Sequence, residues 1–325
     1  MWFIVSAIIL LVHFFSIDNL DPYVVTIIIY SGINVILAVS LNLITGFTGQ
    51  FSLGHVGFMA IGAYSSSYAA IQLQEAFPYL FADLISANLT FLIILLIGGT
   101  VASLAGFIIG LPTLRLKGDY LAIVTLGFSE IIRVVLLNMD SVGAARGLTN
   151  IPGLTNFLWV YLVLLFTIFF IVRLINSPKG RELLAVREDE HAAEACGVDT
   201  TKAKIRAFVI GSFFAGVAGA LFAHYLRYLN PAIFDIQKTF EVIIMVVLGG
   251  MGSITGSVVA AVFLTVLREV LRPLQDLTGT DYRMVIYSLL LIVLMLTRPK
   301  GLFGTREISD ISPFKKLFKK RKGGG

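Results

Sequence analysis

The chain has 325 residues, of which 57% are hydrophobic and 14% charged, with a formal net charge of +5; an ordinary globular domain carries about 25% charge, so a water-soluble fold is excluded on composition. Nine of the 25 Lys and Arg lie between Arg298 and Lys322, directly after the last apolar run, which makes the positive balance a tail beside anionic lipid rather than a nucleic-acid surface. A single Cys196 and four scattered His exclude an intramolecular disulfide and a clustered metal site.

The apolar runs are continuous and about 18 to 24 residues long, enough to cross a hydrocarbon core of roughly 30 Å as helix, and they lack the alternation of a transmembrane barrel. The predicted fold is all-α, a polytopic membrane protein of about ten transmembrane helices with glycine-broken segments. Breaker residues divide the runs into spans at 2–17, 24–45, 51–73, 89–112, 119–138, 157–175, 207–229, 238–251, 254–271 and 283–298. Trp2 to Phe15 lacks a basic leader and a small-x-small cleavage site and is predicted to be a retained span. Residues 1–305 form the predicted transmembrane domain, with a polar loop at 176–206, and 306–325 a basic tail.

Charge parity orders these spans. The loop holds Lys179, Arg181, Arg187, Lys202, Lys204 and Arg206, with Arg173 just before it, so loop and tail are both predicted cytoplasmic. An even number of spans must then separate them, which requires a break at Gly249–Ser253 and places the N-terminus and the Arg115–Lys117 turn inside. Arg146, Arg227, Arg268 and Arg272 fall outside and oppose this arrangement; Asp83, Asp140, Asp276 and Asp281 accompany them. Residues 140–156 are rich in turn formers and are predicted to fold over the outer mouth.

In chain order, the first chemical feature is NLITGFTGQFSLGHVGFMAIGAY, where Gly46, Gly49, Gly54, Gly57 and Gly62 accompany Asn42, Thr45, Thr48, Gln50, Ser52 and His55. Broken backbone at membrane depth is tolerated only inside protein or along a water cavity, and transporters build solute sites from it. Of these, Asn42, Thr45, Gly46, Thr48, Gly49, Gln50, Ser52, Gly54 and His55, with Gly249, Gly250 and Gly252 of the later break, are the candidates for a translocation path or gate; close packing is the other reading, and both stay open here. His55 reads as a satisfied buried histidine. Gly98, Ala102 and Gly106, like Gly211, Ala215 and Gly219, fit helix-packing faces. Glu130 and Arg133 are spaced to form a structural ion pair. Glu241 is predicted at the membrane interface.

The polar loop has a helix-stop-helix grammar. Arg181–Ala195 reads as one short helix with Leu183, Leu184 and Val186 on one side, Gly197 as its stop, and Thr200 or Thr201 as caps of a helix entering the membrane near Ala207. Such a segment suits docking to a peripheral partner. The chain has no G-x-x-x-x-G-K-[ST] loop, nucleophile elbow or His-Glu-x-x-His site, so any nucleotide motor would be another chain.

Five blocks carry a resemblance: SLNLITGFTGQFSLGHVGFMAIGAY, GDYLAIVTLGFSEIIRVV, REDEHAAEACGVD followed by KAKIRAFVIGSFFAGVAGAL, VLGGMGSITGSVVAA and RPKGLFG. In that order, and over nearly the whole chain, they resemble the LivM family of bacterial ABC importer permeases for branched-chain amino acids, whose related members handle urea and amides. The resemblance implies a type II importer-like permease in the bacterial inner membrane, not itself an enzyme and with no cofactor in this chain. It implies a heterodimeric pore with a homologous LivH-like permease, two cytoplasmic ATPase subunits holding ATP and Mg, and a periplasmic or lipid-anchored solute-binding protein. It also implies that Arg187, Glu188, Asp189, Glu190, Ala192, Ala193, Glu194 and Gly197 form the ATPase-docking coupling helix, although one extra residue separates Glu190 from the Ala pair compared with the importer consensus. The rival classes are an ion-coupled secondary carrier, for which Glu130, His55 and Glu241 would be the protonatable candidates, and a passive channel. Leucine, isoleucine and valine, or urea and short amides, remain open as cargo.

Overall fold

The computed structural model describes residues 21–271 apart from 82, 115 and 117, together with 285, 286, 289, 292, 293, 301, 302 and 304. The predicted span at 2–17, most of that at 283–298, Arg115, Lys117, Arg272, Asp276, Asp281 and the basic tail lie outside the described residues.

Helix α1, Pro22–Asn42, starts where the Asp21 side chain accepts the Tyr23 amide and proline takes the first turn. It runs into a π-turn at Leu43–Phe47, closed by the Thr48 hydroxyl, which donates to the Leu43 carbonyl at 2.9 Å. Residues 48–54 are irregular, so α2 spans His55–Ala76 and the predicted helical start at residue 51 is corrected by four residues. The reason is local: the Leu53 amide is drawn off to the Thr125 hydroxyl at 3.0 Å instead of a helical carbonyl. There follow α3 (Leu84–Thr113), α4 (Asp119–Leu137), α5 (Phe157–Ile175), α6 (Pro178–Glu188), α7 (Glu190–Ala195), α8 (Thr200–Leu226), α9 (Ile236–Gly249) and α10 (Ile254–Val270).

Among the described residues, five helical stretches are by themselves long and apolar enough to cross a membrane: Pro22–Phe47, Ile85–Thr113, Asp119–Leu137, Phe157–Ile175 and Thr200–Leu226. Helix α2 is less apolar because it is central. It packs on α3 and α8 through small residues, as helices in lipid do when no hydrophobic force separates protein from solvent. A Cβ on Gly62 would lie 2.2 Å from the Gly216 Cα, one on Gly216 would lie 2.7 Å from the Gly98 carbonyl oxygen, and one on Gly98 would lie 2.9 Å from that of Gly62. Three backbones therefore meet where only glycine fits, and Gly106 packs likewise on Ser212. Large apolar side chains such as Leu89, Ile93, Leu104 and Ile108 of α3 point outward, the inverse of a soluble protein's surface.

Helix α1 joins this trio to a second layer, packing on α5, α8, α9 and α10. The chain does break after Gly249: α9 and α10 are separate, and a Cβ on Gly249 would lie 2.4 Å from the Gly256 carbonyl carbon. Both are too short to be ordinary spans, at 14 and 17 residues.

The polar loop departs from the single helix expected at Arg181–Ala195. It is two helices, α6 and α7, interrupted at Asp189 in an extended conformation (φ −157°, ψ 114°), where the Asp189 carboxylate caps the amides of His191 and Ala192. Gly197 ends the pair at φ +84°, a left-handed geometry that glycine adopts freely. Asp199, not Thr200 or Thr201, caps α8 through the Lys202 amide, and α8 begins within the loop, ahead of Ala207. At the opposite end the 140–156 segment is pinned back onto the end of α8: Leu148 pairs with Leu229 and the Thr155 hydroxyl donates to the Leu221 carbonyl.

Candidate functional site

The two broken segments meet at the end of the bundle that carries α6 and α7. Asn42, fully buried in the last turn of α1, holds them together. Its Nδ2 donates to the Ser253 carbonyl at 2.8 Å and to the Ser257 hydroxyl at 2.9 Å, and its Oδ1 accepts the Gly252 amide at 2.9 Å. One side chain thus satisfies backbone groups that the second break would otherwise strand in a dry interior. Gly46 lies directly against this amide, since a Cβ there would fall 2.3 Å from the Gly252 nitrogen.

Arg187, in the last turn of α6, reaches into the same junction. Its Nη1 donates to the Gly46 carbonyl at 3.2 Å, its side chain and Cα cover Gly49 at 3.1–3.3 Å from where a Cβ would be, and Nη1 lies 2.8 Å from the corresponding position on Gly252. Gly49 and Gly252 both adopt positive φ, +73° and +90°. One residue of the polar loop therefore touches both breaks at once. Glu188 pairs with the same guanidinium from the exposed side.

The other predicted path residues divide. Thr45, Gln50 and Ser52 are buried at the first break; the Thr45 hydroxyl and the Gln50 amide have no hydrogen-bond partner among the described residues. Gly54 packs on Thr125 of α4, His55 shares a 2.8 Å hydrogen bond with Ser40 of α1, and Gly249 is the crossing point with Gly256. Gly250 is approached by Gly301 from beyond the last predicted span, and the Leu302 amide donates to the Leu248 carbonyl. Arg133 Nη2 lies 2.7 Å from Glu130 Oε2.

In the loop, Glu188, Asp189, Ala192, Glu194 and Gly197 are exposed, as are His191, Ala195 and Cys196, while Ala193 is buried against the bundle. The surface is rigidly mounted. Lys204 of α8 donates to Glu190 in a largely buried pair at 2.6 Å, the Thr200 hydroxyl donates to Glu194, and Lys179 and Arg206 both bond Glu182, which holds its carboxyl below the usual carboxylate range. The two backbone amides of Ala192 and His191 do the same for Asp189.

The sequence reading missed a second polar cluster at the opposite end of α1, α9 and α10. Glu241, expected at the interface, is instead partly buried and accepts from Lys238 Nζ at 3.1 Å and from Arg268 Nη1 at 3.1 Å. Lys238 also reaches Asn34 at 3.4 Å, and Asn34 donates to Thr265 at 2.9 Å. These five residues line a cavity of about 350 Å³. The i, i+3 spacing of Lys238 and Glu241 was available as a signal; Arg268, from another helix, was not.

Comparison with known proteins places this architecture. The family profile described as "Branched-chain amino acid transport system / permease component" matches residues 23–295. The chain is 36% identical over 309 residues to the high-affinity branched-chain amino acid transport system permease protein LivM of Salmonella typhimurium, covering 83% of this chain and 67% of that one. It is 27% identical to the probable LivM of Methanocaldococcus jannaschii, covering 87% and 93%, and 31% identical to LivH of Salmonella typhimurium over 42% of each chain. No solved structure matches.

Proposed function

The chain belongs to the LivM family of branched-chain amino acid ABC permeases, multi-pass membrane subunits that are not themselves catalytic, and on that premise we propose that it forms half of an importer's path for leucine, isoleucine and valine. Its partners in this reading are a LivH-like permease, two ATPases that bind ATP and Mg and dock on α6 and α7, and a solute-binding protein that delivers cargo. The setting is a bacterial inner membrane, with lipid around the apolar faces and both termini cytoplasmic.

The observation that carries the mechanism is the Arg187 contact. Closure of the ATPases displaces α6 and α7 as a unit, because the Glu190–Lys204 pair and the Glu182 bonds fasten them to α8. Arg187 transmits that displacement to the Gly46 carbonyl and to Gly252. Asn42 makes the two breaks move together, so the ends of α1, α9 and α10 open or close the path as one element, a two-state device of the kind alternating access needs. The positive-φ glycines supply backbone that can rotate without a side-chain clash.

Reversing charge at Glu188, Asp189 or Glu190, or Gly197→Pro, is expected to lower ATPase recovery in co-purification while the membrane fold stays intact; unchanged recovery across the set removes the docking assignment. A carrier or channel is distinguished by nucleotide: uptake into vesicles that persists without the ATPases overturns the importer reading, and uptake of urea or acetamide in place of leucine moves the cargo to the amide branch.

A further inference from the structure

The cavity between α1, α9 and α10 carries chemistry that no docking or gating role requires. Asn34, on its floor, lies roughly 18 Å along α1 from Pro22, so the site reaches well into the membrane, where ionisable groups are costly and mark function. Lys238 and Glu241 have side chains only 13% and 15% exposed, yet two cations share the one Glu241 carboxylate. Arg268 spends only Nη1 on Glu241; its Nε and Nη2 make no hydrogen bond among the described residues, and its side chain remains 41% exposed toward the cavity. A planar guanidinium with adjacent unused N–H groups is the geometry that grips a carboxylate with two parallel bonds. Asp235 and Glu269 supply negative charge on the same wall, and Ile33, Phe222 and Ile233 an apolar one. The volume of about 350 Å³ lies within the range of about 300–1,000 Å³ typical of small-molecule sites.

We infer that this cavity is a binding site for a small zwitterionic amino acid with an aliphatic side chain, its α-carboxylate on Arg268, its ammonium toward Asp235 and Glu269, and its side chain against Ile33, Phe222 and Ile233. The inference rests on the importer reading and adds to it a solute station in the permease itself, between the delivering protein and the Asn42 junction. Lys238 and Asn34 are positioning residues: Asn34 accepts from Lys238, and Lys238 holds Glu241, which in turn sets the plane of the Arg268 guanidinium.

The test is equilibrium binding of radiolabelled leucine to the full permease–ATPase assembly in lipid nanodiscs, without the solute-binding protein. Saturable binding is expected, displaced by unlabelled isoleucine, and at least tenfold less well by leucinamide, which lacks the carboxylate, or by N-acetyl-leucine, which lacks the ammonium. Arg268→Gln is expected to weaken binding at least tenfold and Arg268→Lys to restore part of it. No saturable binding, equal displacement by leucinamide, or wild-type affinity in Arg268→Gln overturns the site; the ligand comparisons use the unaltered protein and hold even if a variant misfolds. ATP-driven leucine uptake by the wild-type assembly with its binding protein is measured alongside. Uptake present without discrimination at Arg268 removes the site alone, whereas absent uptake removes the importer reading.

Discussion

Asn42→Leu tests whether the two glycine breaks are fastened by one side chain. The substitution deletes three hydrogen bonds of 2.8–2.9 Å in a fully buried position. The Ser253 carbonyl keeps the Ser257 backbone amide as donor at 3.2 Å, so the group left stranded is the Gly252 amide. A buried unsatisfied amide costs about 1–3 kcal/mol and each ordinary lost bond about 0.5–1.5 kcal/mol, giving roughly 2–4 kcal/mol once the apolar gain of leucine is set against the sum. Ser257→Ala removes one of the three bonds and leaves one N–H of the buried Asn42 amide without its acceptor, so it costs about 1–3 kcal/mol. Denaturant unfolding of the purified permease pair in detergent, followed for the two single variants and the double, separates the cases. The double variant is expected to cost scarcely more than Asn42→Leu, because the bonds share one residue. Additive costs in the double variant would refute the account of Asn42 as the fastener.

Glycine contacts and the ion pairs of the polar loop carry further expectations. Gly98→Leu is expected to abolish folded protein because it drives a side chain into the Gly62 and Ala220 contacts, while Gly127→Leu, with nothing within 4 Å, leaves yield and uptake unchanged; both are read by size-exclusion recovery and vesicle uptake. Gly49→Leu, forced to positive φ against Arg187, is expected to fold but lose most of its uptake. Lys204→Met removes the 2.6 Å ion-pair partner of Glu190 and is expected to cost about 1–2 kcal/mol after allowance for partial exposure, with lower ATPase recovery; Lys204→Met with Glu190→Gln is expected to regain part of both. Asp189 has a pKa lowered by the Ala192 and His191 amides, so the cap is fully present above its ordinary value and is lost as pH falls through the depressed one. The protection of those two amides against hydrogen exchange, relative to the intrinsic rate at each pH, is expected to fall across that acidic window in the wild type and to be low at every pH in Asp189→Ala.

Much of the fold was legible because lipid leaves few ways to satisfy a backbone. Runs of twenty apolar residues must be helices, and the glycine cluster after Leu248 had to be a break once charge placed loop and tail on one side. Local competition decided what was not legible. Asp189 interrupts a stretch whose helix propensity is continuous, because its carboxylate captures two amides ahead of it; Asp199 outcompetes the neighbouring threonines as a cap by the same chemistry. The π-turn at Leu43–Phe47 has no sequence signature and arises where the Thr48 hydroxyl takes the Leu43 carbonyl. Of the glycines, sequence could not separate Gly62 and Gly249, which are crossing points, from Gly46, Gly49 and Gly252, which gather around Arg187. Partners 141 residues apart, as Arg187 and Gly46 are, meet only through tertiary packing.

The proposed mechanism has Arg187 carry motion from α6 and α7 to the junction of the breaks. Its most direct measurement is the ratio of leucine taken up to ATP hydrolysed in proteoliposomes holding the full assembly with Arg187→Ala. The ATPases are expected to remain bound and to hydrolyse ATP while uptake per ATP falls at least tenfold. An unchanged ratio, with the assembly intact, would contradict it.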